Sequence, residues 1–497
     1  MVRMLLVCAT VAALPLTAMA EDAPKRKIIS LSVQGMRAPT PALRYTLLPD
    51  LKALNPGNPI QGYMKCFMES EQFFYQTTAV SNRYKWKEMP LKELPLKELH
   101  DYGGDALRQA DYAARLDTPD WQVLPRLKSA GIRLLLPELQ QMRRLEDALM
   151  VRCRVEIAGR RFDDAIRTAQ TILALARHID QHPTLIGSVV SMSVTRQSAD
   201  VLMEMAQQPD CPNLYWALTD LPSPFIDLRQ GMQGESLVDG MLFAPFDTTT
   251  PLTPAQLTKV LQDLDQLYDD MQLKHGLSAR AWPLQVPRVR AEEGVLLASL
   301  RLDDSYFVAA PPFTPAKTPT EWVKEKASDD KFMTGARKRL VEAGYIDEVV
   351  KKLPAQQIVL LDEKRWFEAD LQDVTKMRGL PIWIADAAPR ASKHEREQWL
   401  FSRLSASVSL ILQNRGRVEQ RLALLRQVEA IRLYAAEKGT LPSKLSDITV
   451  PLPVDPFTGQ PFYYAIDGEK AVLRGRPPRG RESQAEYNLQ LEVTLRK

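Results

Sequence analysis

The feature that most constrains the fold is a long series of apolar residues at helical spacing between about residues 134 and 207. In its first part these residues are three or four positions apart and share one helix face: Leu139, Met142, Leu145 and Leu149. The pattern pauses at Ala158-Gly159 and resumes from Phe162 to Leu175. It therefore predicts two helices joined by a glycine turn, which is a helical hairpin.

Prolines and capping residues predict further helices along the chain. An apolar helix is expected over residues 183–208, where its first half has the composition of a buried segment. Thr253-Pro254 and Thr318-Pro319 each place a capping residue before a first-turn proline. Helical patterns continue to about residue 414 and are interrupted by three prolines: Pro354, Pro381 and Pro389. The fold class is predicted to be mainly α, built of helical hairpins or bundles.

The C-terminal part differs from this helical pattern. A helix over residues 417–438 is expected to end at Gly439, because glycine commonly terminates helices. Asp467-Gly468 is the strongest hairpin signal in the chain. The predicted strands are residues 462–466, 470–473 and 487–495. We predict a small C-terminal α+β module that contains a β-hairpin.

The N-terminus has the order of an export signal. Arg3 supplies positive charge, residues 4–16 are apolar and uncharged, and Ala18-Met19-Ala20 offers the small residues that signal peptidase reads. We predict that residues 1–20 are a signal peptide. The alternative is an uncleaved membrane anchor, for which the apolar run is short. A lipoprotein site at Cys8 is rejected because this cysteine lies inside the apolar run.

No later segment reaches the length of a membrane span, since the best candidate, residues 185–194, is closed by Arg196. We therefore expect an exported, soluble protein of the periplasm or the extracellular space, with no stable membrane insertion after signal cleavage. The predicted divisions are 1–20 signal peptide, 21–62 extended segment, 63–308 helical domain, 309–320 proline-rich linker, 321–416 second helical region and 417–497 long helix with the β module.

Charge and cysteine content limit the classes of partner. The net charge is only +4, and the signal peptide removes one basic residue. No nucleic-acid partner is expected, because such proteins concentrate basic charge. Cys66, Cys153 and Cys211 remain in the mature chain. Either one pair forms a disulfide or all three are small buried side chains, and we favour the second reading.

The sequence offers few candidates for chemistry. His178 and His182 are four residues apart, a spacing that can present two imidazoles to a metal on one helix face. The glutamate of the H-E-x-x-H zinc motif is absent after His178, and Pro183 indicates that the helix ends near His182. The two histidines are therefore only weak metal candidates. No catalytic residue is assigned and no cofactor is expected. Five aromatics are expected to pack and not to line a groove: Tyr84, Trp86, Tyr215, Trp216 and Trp383.

Three resemblances to known families accompany these patterns. The turn at residues 159–166 is similar to that of a tetratricopeptide hairpin, although only one such unit can be recognised in the sequence. Residues 430–464 resemble the C-terminal module of major type II secretion pseudopilins, with Gly439 before Pro442 and an L-P-x-D-P motif. That resemblance implies calcium near this loop, and Asp447 and Asp455 are the only carboxylates there to consider.

Most of the mature chain resembles an uncharacterised secreted family of planctomycete bacteria. The motifs that carry this resemblance lie at residues 41–49, 56–58, 135–186, 213–222 and 455–456. The resemblance implies export and a helical architecture, and it assigns no activity to any residue.

Two functions remain open. The first is a non-enzymatic envelope protein that binds a protein partner or forms a scaffold. The alternative is a hydrolase or a small-ligand-binding protein whose site is assembled from residues far apart in the sequence. The sequence leaves the oligomeric state open.

Overall fold

The computed structural model describes residues 26–273, 317–388 and 400–496 of the chain. The predicted signal peptide, residues 309–316 of the predicted linker and the predicted helix break at Pro389 lie outside the described residues.

The described residues form seventeen α-helices and four β-strands. In chain order the helices are α1 (Pro59–Glu69), α2 (Glu71–Tyr75), α3 (Thr77–Glu88), α4 (Gly104–Ala113), α5 (Leu124–Ala130), α6 (Pro137–Ala158), α7 (Phe162–Asp180), α8 (Leu185–Ala206), α9 (Tyr215–Thr219), α10 (Arg229–Phe243), α11 (Pro254–Leu273), α12 (Pro319–Ala327), α13 (Asp330–Glu342), α14 (Asp347–Val350), α15 (Ala355–Thr375), α16 (Ile382–Ala387) and α17 (Ser402–Lys438). The strands are β1 (Lys27–Val33), β2 (Tyr463–Asp467), β3 (Lys470–Arg474) and β4 (Leu489–Leu495). The prediction of a mainly α chain with a small C-terminal β-hairpin module is confirmed.

The hairpin of α6 and α7 forms the centre of the helical body together with α8. The apolar stripe of α6 is completely buried, as the 0% exposure of Leu139, Met142 and Leu145 shows. The turn passes through Gly159 and Arg160, and Arg160 adopts a left-handed backbone with φ +58°. Local sequence therefore makes the hairpin, and burial of its stripe against α8 stabilises it.

Helix α8 is buried around most of its circumference and carries several polar residues in the core. Three of their hydroxyl groups donate to backbone carbonyls, and that of Ser188 donates to Asp180 Oδ1 at 3.3 Å. Ser191 donates to the Ala176 carbonyl at 2.6 Å, Thr195 to Ser191 at 2.8 Å and Ser198 to Val194 at 2.9 Å. Because these donors are paired, the helix can lie in the core without the cost of an unsatisfied polar group.

A second helical group contains α12, α13 and α15. Gln357 joins it to the loop before α11. The Gln357 amide nitrogen donates to the carbonyls of Thr248 (3.0 Å) and Thr250 (3.1 Å), and its oxygen accepts from the Leu252 amide at 2.9 Å. The hydrophobic core contains residues from both helical regions and from the β module.

The sheet has the strand order β1-β4-β3-β2. The hairpin turn includes Gly468 with φ +58°, as the Asp-Gly signal predicts. Strand β1 comes from the N-terminal segment and pairs in parallel with β4, with Lys27 opposite Leu489 and Val33 opposite Leu495. No pattern in the sequence predicted this strand, and its pairing with β4 connects the N-terminal segment to the C-terminal module.

The guanidinium of Arg432 connects the end of β1 to the helical body. It is 0% exposed and donates to the carbonyls of Gln34 (3.1 Å) and Cys211 (2.6 Å). It also donates to both carboxylate oxygens of Glu429 at 2.9 Å. Glu429 in turn accepts from the Leu214 amide at 3.1 Å. This buried pair fixes three chain segments together.

Within the described residues, none of the helices combines the length and apolar character that a membrane crossing requires.

Candidate ligand-binding pocket

A pocket with a volume of about 120 Å³ lies between the end of α5, the start of α8, and helices α10 and α17. Its wall is mainly aliphatic, and the apolar residues include Leu127, Leu136, Val189, Val238 and Ile411. Four segments far apart in the sequence build it, so no local motif marks it. The five aromatics considered above are not among the residues that line it.

Two glycines bring α10 close to the start of α8. A Cβ at Gly234 would lie 1.9 Å from the Pro183 carbonyl oxygen, and one at Gly231 would lie 2.8 Å from the Ser188 hydroxyl. Only glycine permits such a close approach of two backbones. The contact positions Glu235, the next residue of α10, in the pocket wall.

Glu235 is the only ionisable residue among the described residues of the pocket wall. Burial raises the pKa of Glu235 to about 7. Among the described residues no cation forms an ion pair with this carboxyl. Burial is also the largest cause that raises the pKa of Asp239, one helical turn further on, to about 8, followed by the charges of Glu235 and Glu368.

Asp239 is 8% exposed, and its Oδ2 atom has no hydrogen-bond partner among the described residues. Glu368 is neutralised differently, because its carboxylate accepts from Lys364 at 2.9 Å, and Lys364 also lies 3.3 Å from Asp247. The side of α10 that carries Glu235 and Asp239 therefore has two carboxyl groups without a compensating base.

A second set of polar side chains lies beside the pocket and consists of Glu138, His182 and Thr184. Thr184 is also part of the pocket wall. Thr184 Oγ1 is 2.9 Å from His182 Nδ1, and Glu138 Oε1 is 3.7 Å from His182 Nε2. An acid, an imidazole and a hydroxyl in this order are used in hydrolases to activate the hydroxyl. Here Thr184 Oγ1 accepts from the Gly187 amide at 3.2 Å and caps α8. The group therefore holds the start of α8.

His178 and His182 do not face a common site. Helix α7 ends at Asp180, before His182, and His178 Nδ1 bonds to the Tyr63 hydroxyl at 2.9 Å. Burial, followed by the charge of Arg177, lowers the pKa of His178 to about 4. Burial also lowers the pKa of His182, although Glu138 opposes this shift. Both imidazoles are therefore neutral at pH 7 and serve as hydrogen-bonding groups of the core.

No group of three or more histidine, cysteine, aspartate or glutamate side chains that could hold a metal ion is present in residues 26–273, 317–388 and 400–496. Asp455 is 1% exposed and accepts from the backbone amides of Phe457 (3.1 Å) and Arg476 (2.6 Å) and from the Gln420 amide at 3.0 Å. Asp447 accepts from the Lys444 amide at 3.1 Å. These two carboxylates hold the loop of the β module through hydrogen bonds.

Cys66, Cys153 and Cys211 are free and buried. Burial raises the pKa of the Cys66 and Cys211 thiols to about 12 and raises that of Cys153 as well. Such thiols have little thiolate character and are poor nucleophiles. The three side chains serve as small apolar groups of the core.

Glu235 and Asp239 were not predicted from the sequence. The available signal was a pair of acids four residues apart on a glycine-containing helix, over residues 229–243. That signal is common on exposed helices and becomes informative only when the surrounding burial is known. Comparisons of the chain with protein-family models, with curated proteins and with solved structures found no match.

Proposed function

We propose that this chain is an exported, non-catalytic protein that binds a small ligand in the pocket between α5, α8, α10 and α17. The observation that carries the proposal is the pocket itself, an aliphatic cavity with a polar group in its wall. Small-molecule sites are usually concave and apolar, with a few polar groups that orient the ligand. Of the two functions that the sequence left open, this geometry favours the small-ligand alternative.

The size of the pocket limits the ligand group that it can enclose. A cavity of about 150 Å³ lined by aliphatic and aromatic side chains binds benzene. The pocket, at about 120 Å³, is close to that size. A group of about one ring or a short branched alkyl chain therefore fits, and a larger ligand would extend out of the pocket.

Calorimetry with benzyl alcohol as a neutral probe tests this function on the mature chain. We expect saturable binding to the wild type and loss of binding in Val189→Phe, because the added ring would occupy the cavity from the α8 side. Val341→Phe is the matched control, since Val341 is 38% exposed on α13 and the added ring projects into solvent. Equal binding by the wild type and Val189→Phe would contradict the proposed pocket.

We propose export on the basis of the N-terminal pattern of residues 1–20. The full chain produced in a bacterial host is expected to be cleaved after Ala20, so that the exported form begins at Glu21. Ala18→Arg is expected to block processing, because signal peptidase requires small residues at this position. Terminal sequencing of the exported protein measures the result, and an exported form that begins at Met1 would refute cleavage.

We propose protein binding as a second function, located at the outer edge of β2. Strand β2 is an edge strand, and Tyr463 (51%) and Ile466 (44%) are exposed on it. Exposed edges can add a strand from a partner. Arg474 lies 4.6 Å over the Tyr463 ring, and the nearby Arg476 is exposed, so an extended segment with acidic residues would suit this edge.

Affinity purification from native envelopes, with the wild type and Ile466→Lys, tests this second function. A partner captured by the wild type and lost with Ile466→Lys supports it. Deletion of residues 441–497 is a poorer test, because β4 pairs with β1 and its removal would uncover the N-terminal strand. Identical partners in both purifications would exclude the β2 edge.

A further inference from the structure

We infer that the ligand of this pocket is an organic cation, namely a protonated amine that carries an apolar group of about one ring. The inference rests on the proposed ligand-binding function and adds the chemical class of the ligand. It starts from the uncompensated acids on α10.

The ionisable groups that lie on α10 at the pocket are both acidic. Of the wall residues that the structure describes, Glu235 alone is ionisable, and Asp239 lies one turn away on the same helix. Neither carboxyl forms a hydrogen bond or an ion pair with another described residue, and Asp239 Oδ2 is buried without a partner. An unpaired buried carboxylate is costly, so it is neutralised by a proton or by a counter-charge.

The other charged side chains near the pocket nearly cancel one another. Arg126 lies 3.3 Å from Glu138 and compensates its carboxylate, and burial keeps His182 neutral. From α15, Glu368 faces Asp239 and is paired with Lys364. The field at the pocket is thus set by Glu235 and Asp239 and is negative whenever they ionise.

A cationic ligand is the best complement to this arrangement. Its ammonium group would supply the missing counter-charge to Glu235, while its apolar part would replace water against the aliphatic wall. A carboxylate ligand would add a third acid to the pair and be repelled. A neutral ligand would gain binding free energy only from burial of its apolar part against the aliphatic wall.

Three probes of matched shape distinguish these cases: benzylamine, benzyl alcohol and benzoate. In calorimetry at neutral pH with the mature wild-type chain, we expect benzylamine to bind at least about tenfold more tightly than benzyl alcohol, because a close charge pair in a poorly solvated site is strong. Benzoate is expected to bind most weakly of the three.

Glu235→Gln tests the origin of this preference, because it removes the charge and keeps the shape. We expect the preference for benzylamine to fall below about threefold while benzyl alcohol binds as before. Glu348→Gln is the matched control, since the Glu348 side chain is 73% exposed on α14 and its loss should leave all three affinities unchanged. Circular dichroism verifies that each variant is folded.

The outcomes separate this inference from the function on which it rests. If benzyl alcohol and benzylamine bind the wild type equally, or if Glu235→Gln keeps the preference, the cation inference is overturned and the pocket function stands. If benzoate binds best, the ligand is an anion and the inference is overturned. If no probe binds the wild type, both are overturned.

Discussion

Replacing Arg432 by methionine tests the account of the buried pair that joins β1, the 211–214 segment and α17. The guanidinium is fully buried and bonds to the Glu429 carboxylate and to backbone carbonyls of distant segments. Burial, the largest single cause, would lower the pKa of Arg432, but the charge of Glu429, the charge of Cys211 and the hydrogen bonds to both residues together outweigh it, and the pKa is raised. The substitution leaves Glu429, whose side chain is 2% exposed, with a buried charge and no counter-ion.

The expected loss of unfolding free energy is about 3–5 kcal/mol, the range for breaking a buried ion pair by removing one partner. The carbonyls of Gln34 and Cys211 also lose their donor, which places the loss toward the upper end of that range. Because removing Glu429 as well eliminates the stranded charge, Arg432→Met with Glu429→Gln is expected to be less destabilised than Arg432→Met alone.

Urea unfolding followed by circular dichroism at pH 7 measures these differences in the free energy of unfolding. Lys438→Met is the control, because it removes a positive charge from the exposed end of the same helix and is expected to cost less than about 1 kcal/mol. A loss below about 1 kcal/mol for Arg432→Met would refute the reasoning, since it would mean that the pair is not buried or that Glu429 finds another partner.

Two further predictions use the same unfolding assay, and a third uses chemical modification of the cysteines. Gly234→Ala should destabilise the fold by about 2 kcal/mol or more, because its Cβ would clash with the Pro183 carbonyl. Gly240→Ala on the same helix is the control, since its Cβ would meet nothing within 4 Å and the substitution should stabilise the fold by about 0.5–1 kcal/mol. Equal effects of the two substitutions would contradict the close packing at Gly234. Burial raises the pKa of Asp239 to about 8, so the folded chain holds a proton that the unfolded chain releases at lower pH, and stability is lost as the pH rises from the unfolded value of Asp239 to about 8. Between about pH 5 and pH 9 the wild type should therefore lose at least about 1 kcal/mol relative to Asp239→Asn, and parallel pH curves would argue against a buried acid. A disulfide exchange reagent at pH 8 should leave Cys66, Cys153 and Cys211 unmodified in the native protein and modify all three after unfolding, because their thiols are buried and their pKa values are raised. Rapid reaction of these cysteines in the native protein would exclude this burial.

Sequence alone was sufficient where short-range chemistry determines the structure. Thr318 caps α12 with its own hydroxyl, Gly439 ends α17 with φ +72°, and Gly468 turns the hairpin between β2 and β3. Each of these features depends on residues within a few positions of one another, so the composition of the segment is enough to predict it. The apolar stripe of α6 is equally local, because helical periodicity is set by the backbone.

Only the tertiary structure decided which distant residues meet. Thr494 on β4 donates to the Leu31 carbonyl on β1, and no local pattern indicates that these two strands pair. The pocket is formed by four separate segments. The pKa of Glu235 is raised because these segments bury its carboxyl group, and not because of its neighbours in sequence. The physical reason is that hydrogen bonds within a helix or turn act over a few residues, whereas burial and charge depend on the packing of the whole chain.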